Sequence, residues 1–407
     1  MEGKISLPKM PTVPLDVIAD ITVRLPVKSL VRFKCVSNTW RSMIEDPNFV
    51  KLHLQHSLKT GSNHYLMLKS YNLYTVDFDS LNAAMGMDHH PLYAGPQWQT
   101  EAIGCCNGLV LLRNSEEDLA LYNFSTRMSH LLPGEPIVMF QRELSRCVFY
   151  GFGYDLVNDD YKVVRVILGL SQDPEVEPEV GVYSLKTNSW KRLKTLPVGI
   201  RWLFSPYYYS FSADRGYGVL VDNALHWVSP LDPQIGRPNL IIAFDLGSEE
   251  FHVVPQPEYE HEIFEMDLSV LRGCLCALCN DKESWVDVWL MKEYGVKESW
   301  SRLFRVEQPR VHLFKALAYS KENDEVLFMK EDRKVVWYDP KRKRTTRVRI
   351  AGAPISFCAE LCIGSLVPLS NSDGKEKLER EKNEKQDEKK KRKRKDDFLS
   401  KGFKLVL

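Results

Sequence analysis

The sequence predicts an α+β multidomain chain: a small all-α module over residues 8–60, an all-β, propeller-like domain of six blades over 61–368, and a charged, disordered tail over 369–407. Three observations predict it. Apolar residues between 13 and 50 recur at helical spacing, in short runs divided by breakers. From about residue 63 the pattern changes to short alternating runs rich in aromatic and branched residues, and one such unit recurs six times. Between Lys375 and Asp397, 20 of 23 residues are charged.

In the first segment Val17, Ile18, Ile21 and Leu25 form one stripe, Leu30, Phe33 and Val36 a second, and Trp40 and Ile44 a third. Pro14 and Asp16 suit the first turn of a helix, Leu25-Pro26 closes it, and Ser37 is placed to cap the helix that holds Trp40. Asp46-Pro47 repeats the cap-and-proline signal. Residues 47–60 therefore read as a further helix, with Phe49, Leu52 and His56 near one face and Gly61-Ser62-Asn63 as its stop. A segment this short cannot bury so many large side chains by itself, so part of its apolar surface should face a partner.

The β region repeats an alternating strand that ends near a polar turn. The instances are Leu73–Asp77, Leu119–Asn123, Val180–Ser184, Ile241–Asp245, Val286–Leu290 and Lys334–Asp339, at intervals of 45 to 61 residues. Tyr183 and Trp190 have the same spacing as Phe244 and Phe251, each pair flanking a turn as in a hairpin. A preceding strand reads at Gly108–Leu112, Ala224–Val228, Gly273–Leu278 and Glu325–Met329. Six mostly-strand units fit the blades of a β-propeller, where radial stacking buries both faces of each unit; a β-sandwich pair or an open β-array is the structural alternative.

The formal net charge is +1, which favours neither a nucleic-acid surface nor an acidic one. Residues 375–397 hold 12 Lys/Arg against 8 Asp/Glu, so the rest carries 43 against 46: an acidic body and a basic tail. That tail cannot bury enough apolar surface to offset its ordering entropy. The opening MEGKISLPKM has no apolar run of a secretory signal, and no stretch approaches the length of a membrane span. Nine scattered cysteines read as reduced thiols in a cytosolic or nuclear protein.

Candidate sites divide between bland and informative. Cys274 and Cys276 face one side of a strand and Cys279 the other, with no turn or fourth ligand for tetrahedral zinc, so these thiols, like Cys105 and Cys106, read as buried small hydrophobes. Asp155, Asp159 and Asp160 read as turn residues rather than an acid–base pair. His89-His90 has no spaced partners, and no nucleophile motif or phosphate loop is present. No metal or cofactor is expected. Trp202, Phe204, Tyr207, Tyr208 and Tyr209 are too aromatic for a solvated loop and are candidate target-binding residues, or else propeller core. The run Lys389, Lys390, Lys391, Arg392, Lys393, Arg394 and Lys395 is a candidate nuclear-localisation element, which would place the protein in nucleus and cytoplasm.

The helical segment resembles the F-box. The match is carried by Pro14, Asp16, Ile18, Ile21, Leu25-Pro26, Lys28-Ser29-Leu30, Arg32-Phe33-Lys34, Val36-Ser37, Trp40-Arg41, Ile44 and Pro47-Asn48-Phe49, with Val13 where the family usually has Leu. The β region resembles the kelch-like F-box-associated domain of plant F-box proteins, through Asn107-Gly108-Leu109, Asn123-Phe124-Ser125-Thr126 (Phe124 standing for the usual Pro), Gly151-Phe152-Gly153-Tyr154-Asp155, Asp159-Asp160-Tyr161-Lys162-Val163-Val164, Tyr183-Ser184-Leu185, Ser189-Trp190 and Leu225-His226-Trp227. The resemblance implies the non-catalytic substrate-recognition subunit of a Skp1–cullin–F-box ubiquitin ligase. It implies that Pro14, Ile18, Ile21, Leu25, Pro26, Leu30, Phe33, Val36 and Trp40 bind the Skp1-type adaptor, and through it a cullin. It further implies a negative regulator of plant defence, with nucleotide-binding leucine-rich-repeat immune receptors as targets. A non-degradative scaffold and a propeller enzyme are the competing readings.

Overall fold

The computed structural model describes residues 15–369 except 88, 94–98, 135–145, 170–178, 194–216, 230–239, 260–263, 282–284, 308–313, 321–323 and 331–332. Pro14, the aromatic stretch around Trp202–Tyr209 and the basic run Lys389–Lys395 lie outside the described residues. The described chain forms four α-helices followed by six antiparallel four-stranded sheets, with a 3-10 turn at Lys297–Ser299.

The helices are α1 (Leu15–Thr22), α2 (Val27–Phe33), α3 (Asn38–Glu45) and α4 (Pro47–Thr60). Their ends follow the sequence signals. The Ser37 hydroxyl accepts from the Trp40 N–H at 3.3 Å and caps α3. The Asp46 carboxylate accepts from the N–H groups of Asn48 and Phe49 at 2.9 and 3.2 Å, with Pro47 in the first turn of α4. Gly61, at φ 64°, ends α4 in the left-handed conformation.

From centre to rim, blade 1 orders Cys358–Ile363, His64–Lys69, Leu73–Asp77 and Ala84–Gly86; blade 2 Thr100–Cys106, Leu109–Asn114, Leu119–Asn123 and Met128–Leu131; blade 3 Arg146–Asp155, Asp160–Gly169, Glu179–Ser184 and Ser189–Leu193. Blade 4 orders Val219–Val221, Ala224–Ser229, Leu240–Asp245 and Glu250–Val254; blade 5 Glu265–Leu271, Cys274–Asn280, Trp285–Met291 and Trp300–Glu307; blade 6 Phe314–Tyr319, Val326–Lys330, Lys334–Asp339 and Arg344–Val348. The six innermost strands neighbour one another in a closed ring, which excludes a sandwich. The ring is closed by the last strand, Cys358–Ile363, pairing with the first, His64–Lys69.

The repeat legible in the sequence is the third strand of every blade. The matched pairs Tyr183–Trp190 and Phe244–Phe251 stand opposite each other in register, with ring centroids 5.5 and 4.8 Å apart. The polar residue ending the third strand also has a recurring task. Asp77, Asn123, Ser184, Asp245 and Asp339 each accept a backbone N–H two or three residues on, shaping the turn into the fourth strand. Four residues after each of them the backbone is left-handed, at Leu81, Arg127, Asn188, Glu249 and Lys343.

Apolar clusters fill the wedges between successive blades. Leu225, Trp227 and Phe244 of blade 4 pack against Phe149 and Val164 of blade 3, and equivalent clusters join blades 4–5, 5–6, 6–1 and 1–2. Gly151 belongs to the most specific motif of the β region for this reason: a Cβ there would lie 2.6 Å from Leu225 Cδ1 and 2.9 Å from Trp227 Cζ2. The wedge between blades 2 and 3 differs, because the helical module closes it.

Candidate functional site

The module has two unlike faces. Its inner face consists of Val23, Val27, Leu30, Ile44, Phe49 and Val50, all buried in one cluster with Ile103 and Leu109 of blade 2, Tyr150 and Phe152 of blade 3, and Leu366, Val367 and Leu369 beyond the closing strand. The segment Gly364–Leu369 is thus a buried strap between helices and propeller. Asn63 ties the parts together. Its Oδ1 accepts from Val27 N at 3.1 Å, its Nδ2 donates to Ser57 Oγ at 2.9 Å, and its carbonyl accepts from Gly364 N at 2.8 Å. Asn123 holds the strap from blade 2, its Nδ2 donating to the carbonyls of Ser365 and Val367 at 3.2 and 2.8 Å.

Two further links orient α4. His53, fully buried, donates from Nε2 to the Leu25 carbonyl at 2.9 Å. Burial lowers its pKa against the opposing effect of that hydrogen bond, so the ring is neutral at pH 7. Lys51 reaches Asp159 of the blade 3 hairpin at 3.0 Å, and Tyr154 donates its hydroxyl to the same carboxylate.

The outer face is apolar and uncovered. Val17, Ile21 and Val36 are 43, 57 and 66% exposed, and Pro26 is exposed beside them in sequence. Val17 and Ile21 are four residues apart and share one side of α1. Ile18 is half-buried; Leu25, Phe33 and Trp40 are half-buried too but pack against the inner cluster, the Phe33 and Trp40 rings lying edge to face at 5.3 Å.

Two expectations are corrected. Leu30 has no exposed surface; it belongs to the inner cluster and anchors the module instead of facing a partner. In α4 the buried side is Phe49, Val50, His53 and Ser57, while Leu52 points outward at 48% exposed. A His and a Ser sit on the buried side because Leu25 and Asn63 give them partners, which hydrophobic periodicity does not register.

The acidic cluster of blade 3 is architectural. Asp155, fully buried, accepts from the N–H groups of Val157 and Asn158 at 2.9 and 3.2 Å and pairs with Lys162 at 2.9 Å. Lys162 also reaches Glu249 of blade 4 at 2.9 Å, so the pair stitches two blades together. Burial works against the Asp155 charge, but hydrogen bonds from Asn158 and Lys162 outweigh it and hold the carboxyl below its ordinary range. Asp160 accepts from Lys186 N at 2.9 Å. Cys276 and Cys279 are buried, and burial pushes the Cys276 thiol up to about 12. Among the described residues no three His, Cys, Asp or Glu side chains are grouped to hold a metal, and no helix is long and apolar enough to cross a membrane.

Comparison with known proteins agrees with this division. Residues 11–52 match the model of the F-box domain, and residues 63–367 match that of the F-box associated beta propeller domain. The chain is 42% identical to the F-box protein CPR1 of Arabidopsis thaliana over 98% of its own length and 100% of that protein. It is 39% identical to the F-box protein At4g22390 of the same plant, over 97% of this chain and 99% of the relative. A helical module with an apolar outer face, built into a six-bladed ring, is therefore the architecture of a known group, and the chain belongs to the F-box proteins that carry an F-box-associated β-propeller.

Proposed function

We infer that the outer face of α1 and the turn after α2 dock on a Skp1-type adaptor, and through it on a cullin, while the propeller holds a protein target. An F-box protein of this kind is the non-catalytic substrate-recognition subunit of a ubiquitin ligase: it raises the effective concentration of target lysines near the charged enzyme. The observation that carries the docking surface is the contrast within the module. Val17, Ile21 and Val36 are uncovered in a module whose other face is completely buried, as expected of a surface that meets a partner. The test is a pull-down of the full chain by the adaptor. Ile21→Asp with Val36→Asp should abolish capture and leave the thermal midpoint unchanged, because neither side chain supports the inner cluster; undiminished capture would refute the assignment.

The target class proposed is nucleotide-binding leucine-rich-repeat immune receptors, which would make the chain a negative regulator of plant defence. Support comes from the motif order along the sequence and the full-length similarity to CPR1. Unchanged receptor abundance after loss of the chain would count against it. The run Lys389–Lys395 supports residence in nucleus as well as cytoplasm; its replacement by glutamine should leave a fluorescent fusion cytoplasmic.

A further inference from the structure

The outer strand of blade 6, Arg344–Val348, sits in a strongly basic stretch; Val348 and Ile350 pack against the wedge between blades 6 and 1, but its charged side chains serve neither the adaptor surface nor the blade packing. Lys341, Arg342, Lys343, Arg344, Arg347 and Arg349 fall within residues 340–349, with no acidic residue among them, and all six side chains are exposed. Three are balanced locally: Lys341 by Asp324 at 3.3 Å, Arg342 by Asp339 at 3.6 Å and Lys343 by Glu307 at 3.4 Å. Arg344 stands opposite Asp339 in register. Arg347 and Arg349 have no acidic partner among the described residues.

Among the described residues the strand pairs with Lys334–Asp339 on one side only, which leaves its outer backbone edge open to them. Alternation along the strand places Arg344 on one face of the sheet and Arg347 on the other. Other rims differ. Ala84–Gly86 and Met128–Leu131 hold no Lys or Arg; Lys191 and Arg192 of blade 3 pair with Glu249 and Glu179; Arg302 and Arg305 of blade 5 both meet Asp287. Blocking edge-to-edge aggregation requires only an occasional charge. A row of arginines, each a planar two-pronged donor, matches carboxylates instead. The body outside residues 375–397 is net acidic, so the basic surface is local, which suits a short acidic segment better than a long polyanion.

We propose that the outer edge of blade 6 binds an extended acidic peptide segment of a partner protein as a fifth strand. The peptide backbone pairs with the open edge, and its Asp or Glu side chains meet Arg344 on one face and Arg347 on the other, with Arg349 beyond the strand's end. This site is independent of adaptor docking.

Fluorescence anisotropy with a labelled peptide of repeated Glu-Glu-Val-Val, which presents Glu on both faces of an added strand, tests it. The protein is the full chain with residues 389–395 replaced by Gln, so that the tail does not compete. Binding should weaken with salt and fall at least about tenfold on R344E/R347E/R349E, a change confined to exposed side chains. It should fall similarly when proline replaces the central residue of the peptide, because proline lacks the N–H that strand addition needs. Equal affinity in the triple variant, or undiminished binding of the proline peptide, would overturn the proposal. So would tighter binding of a single-stranded oligonucleotide of equal charge, which would assign the surface to nucleic acid.

Discussion

At the scale of single residues, the molecule depends on a few positions where backbone approaches backbone. Gly108 is at φ +85°, and a Cβ there would lie 2.2 Å from Ser365 Oγ, inside the strap. Gly108→Ala should therefore destabilise the chain by about 3 kcal/mol or more in urea unfolding, combining a left-handed backbone cost with overpacking. Adding Ser365→Gly should recover the overpacking part and leave the backbone part. Gly108 reads in the sequence as the start of a strand and as part of a family motif, but the strap that presses on it comes from more than 250 residues later, which no local pattern reveals. The molecule also depends on His226, a buried side chain. Its Nδ1 donates to the Val219 carbonyl at 3.0 Å and its Nε2 accepts from the Tyr294 hydroxyl at 2.7 Å. Burial, partly opposed by the Val219 bond, depresses its pKa to about 4. The unfolded chain takes up the proton first, near pH 6.5, so the stability gained from the neutral ring is complete above that pH and is lost as pH falls toward 4. Between pH 6.5 and 5 the loss should be about 2 kcal/mol, measured as the difference in unfolding free energy between the chain and its H226Q variant.

At the scale of elements, legibility followed burial. The third strands carry branched and aromatic residues and most are largely buried, Leu119–Asn123 along its whole length, so all six were readable. The rim strands were less so: those of blades 3 and 4 showed through Trp190 and Phe251, whereas Arg344–Val348, almost wholly exposed, did not show. Helix ends were legible because capping is local chemistry, as at Ser37 and Asp46. Which side of a helix is buried was less so, since that depends on what lies opposite. Leu30 and Ile21 illustrate the difference: both are apolar at helical spacing, one fully buried and the other 57% exposed. Leu30→Ala should cost about 2–5 kcal/mol of stability and loosen the module. Ile21→Ala should leave stability within about 0.5 kcal/mol while weakening adaptor capture. Thermal melts and pull-downs on the same preparations separate the two.

At the scale of the whole molecule, module and ring share one core, and Asn63 is the joint between α2, α4 and the strap. Asn63→Gly keeps the left-handed backbone, at φ 60°, and removes only the side-chain bonds to Val27 and Ser57. The variant should fold and still bind the adaptor, but transfer ubiquitin to a bound target more slowly, because the distance between docking surface and propeller is no longer held. Reconstituted ubiquitination with equal adaptor occupancy would measure it. The two-part architecture was legible in the sequence; the shared core was not, because it forms between residues of the module and residues near 365.

Ring closure by Cys358–Ile363 also bears on how the protein is made. The module leaves the ribosome before the ring, yet the strand that completes blade 1 and the strap that seats the helices are among the last described residues to emerge. Until then the nascent chain carries an open sheet edge and an unseated apolar module, both of which chaperones and proteases recognise. A premature stop anywhere before residue 358 leaves the ring open and the module without its strap, so truncating alleles should behave as complete losses rather than as adaptor traps.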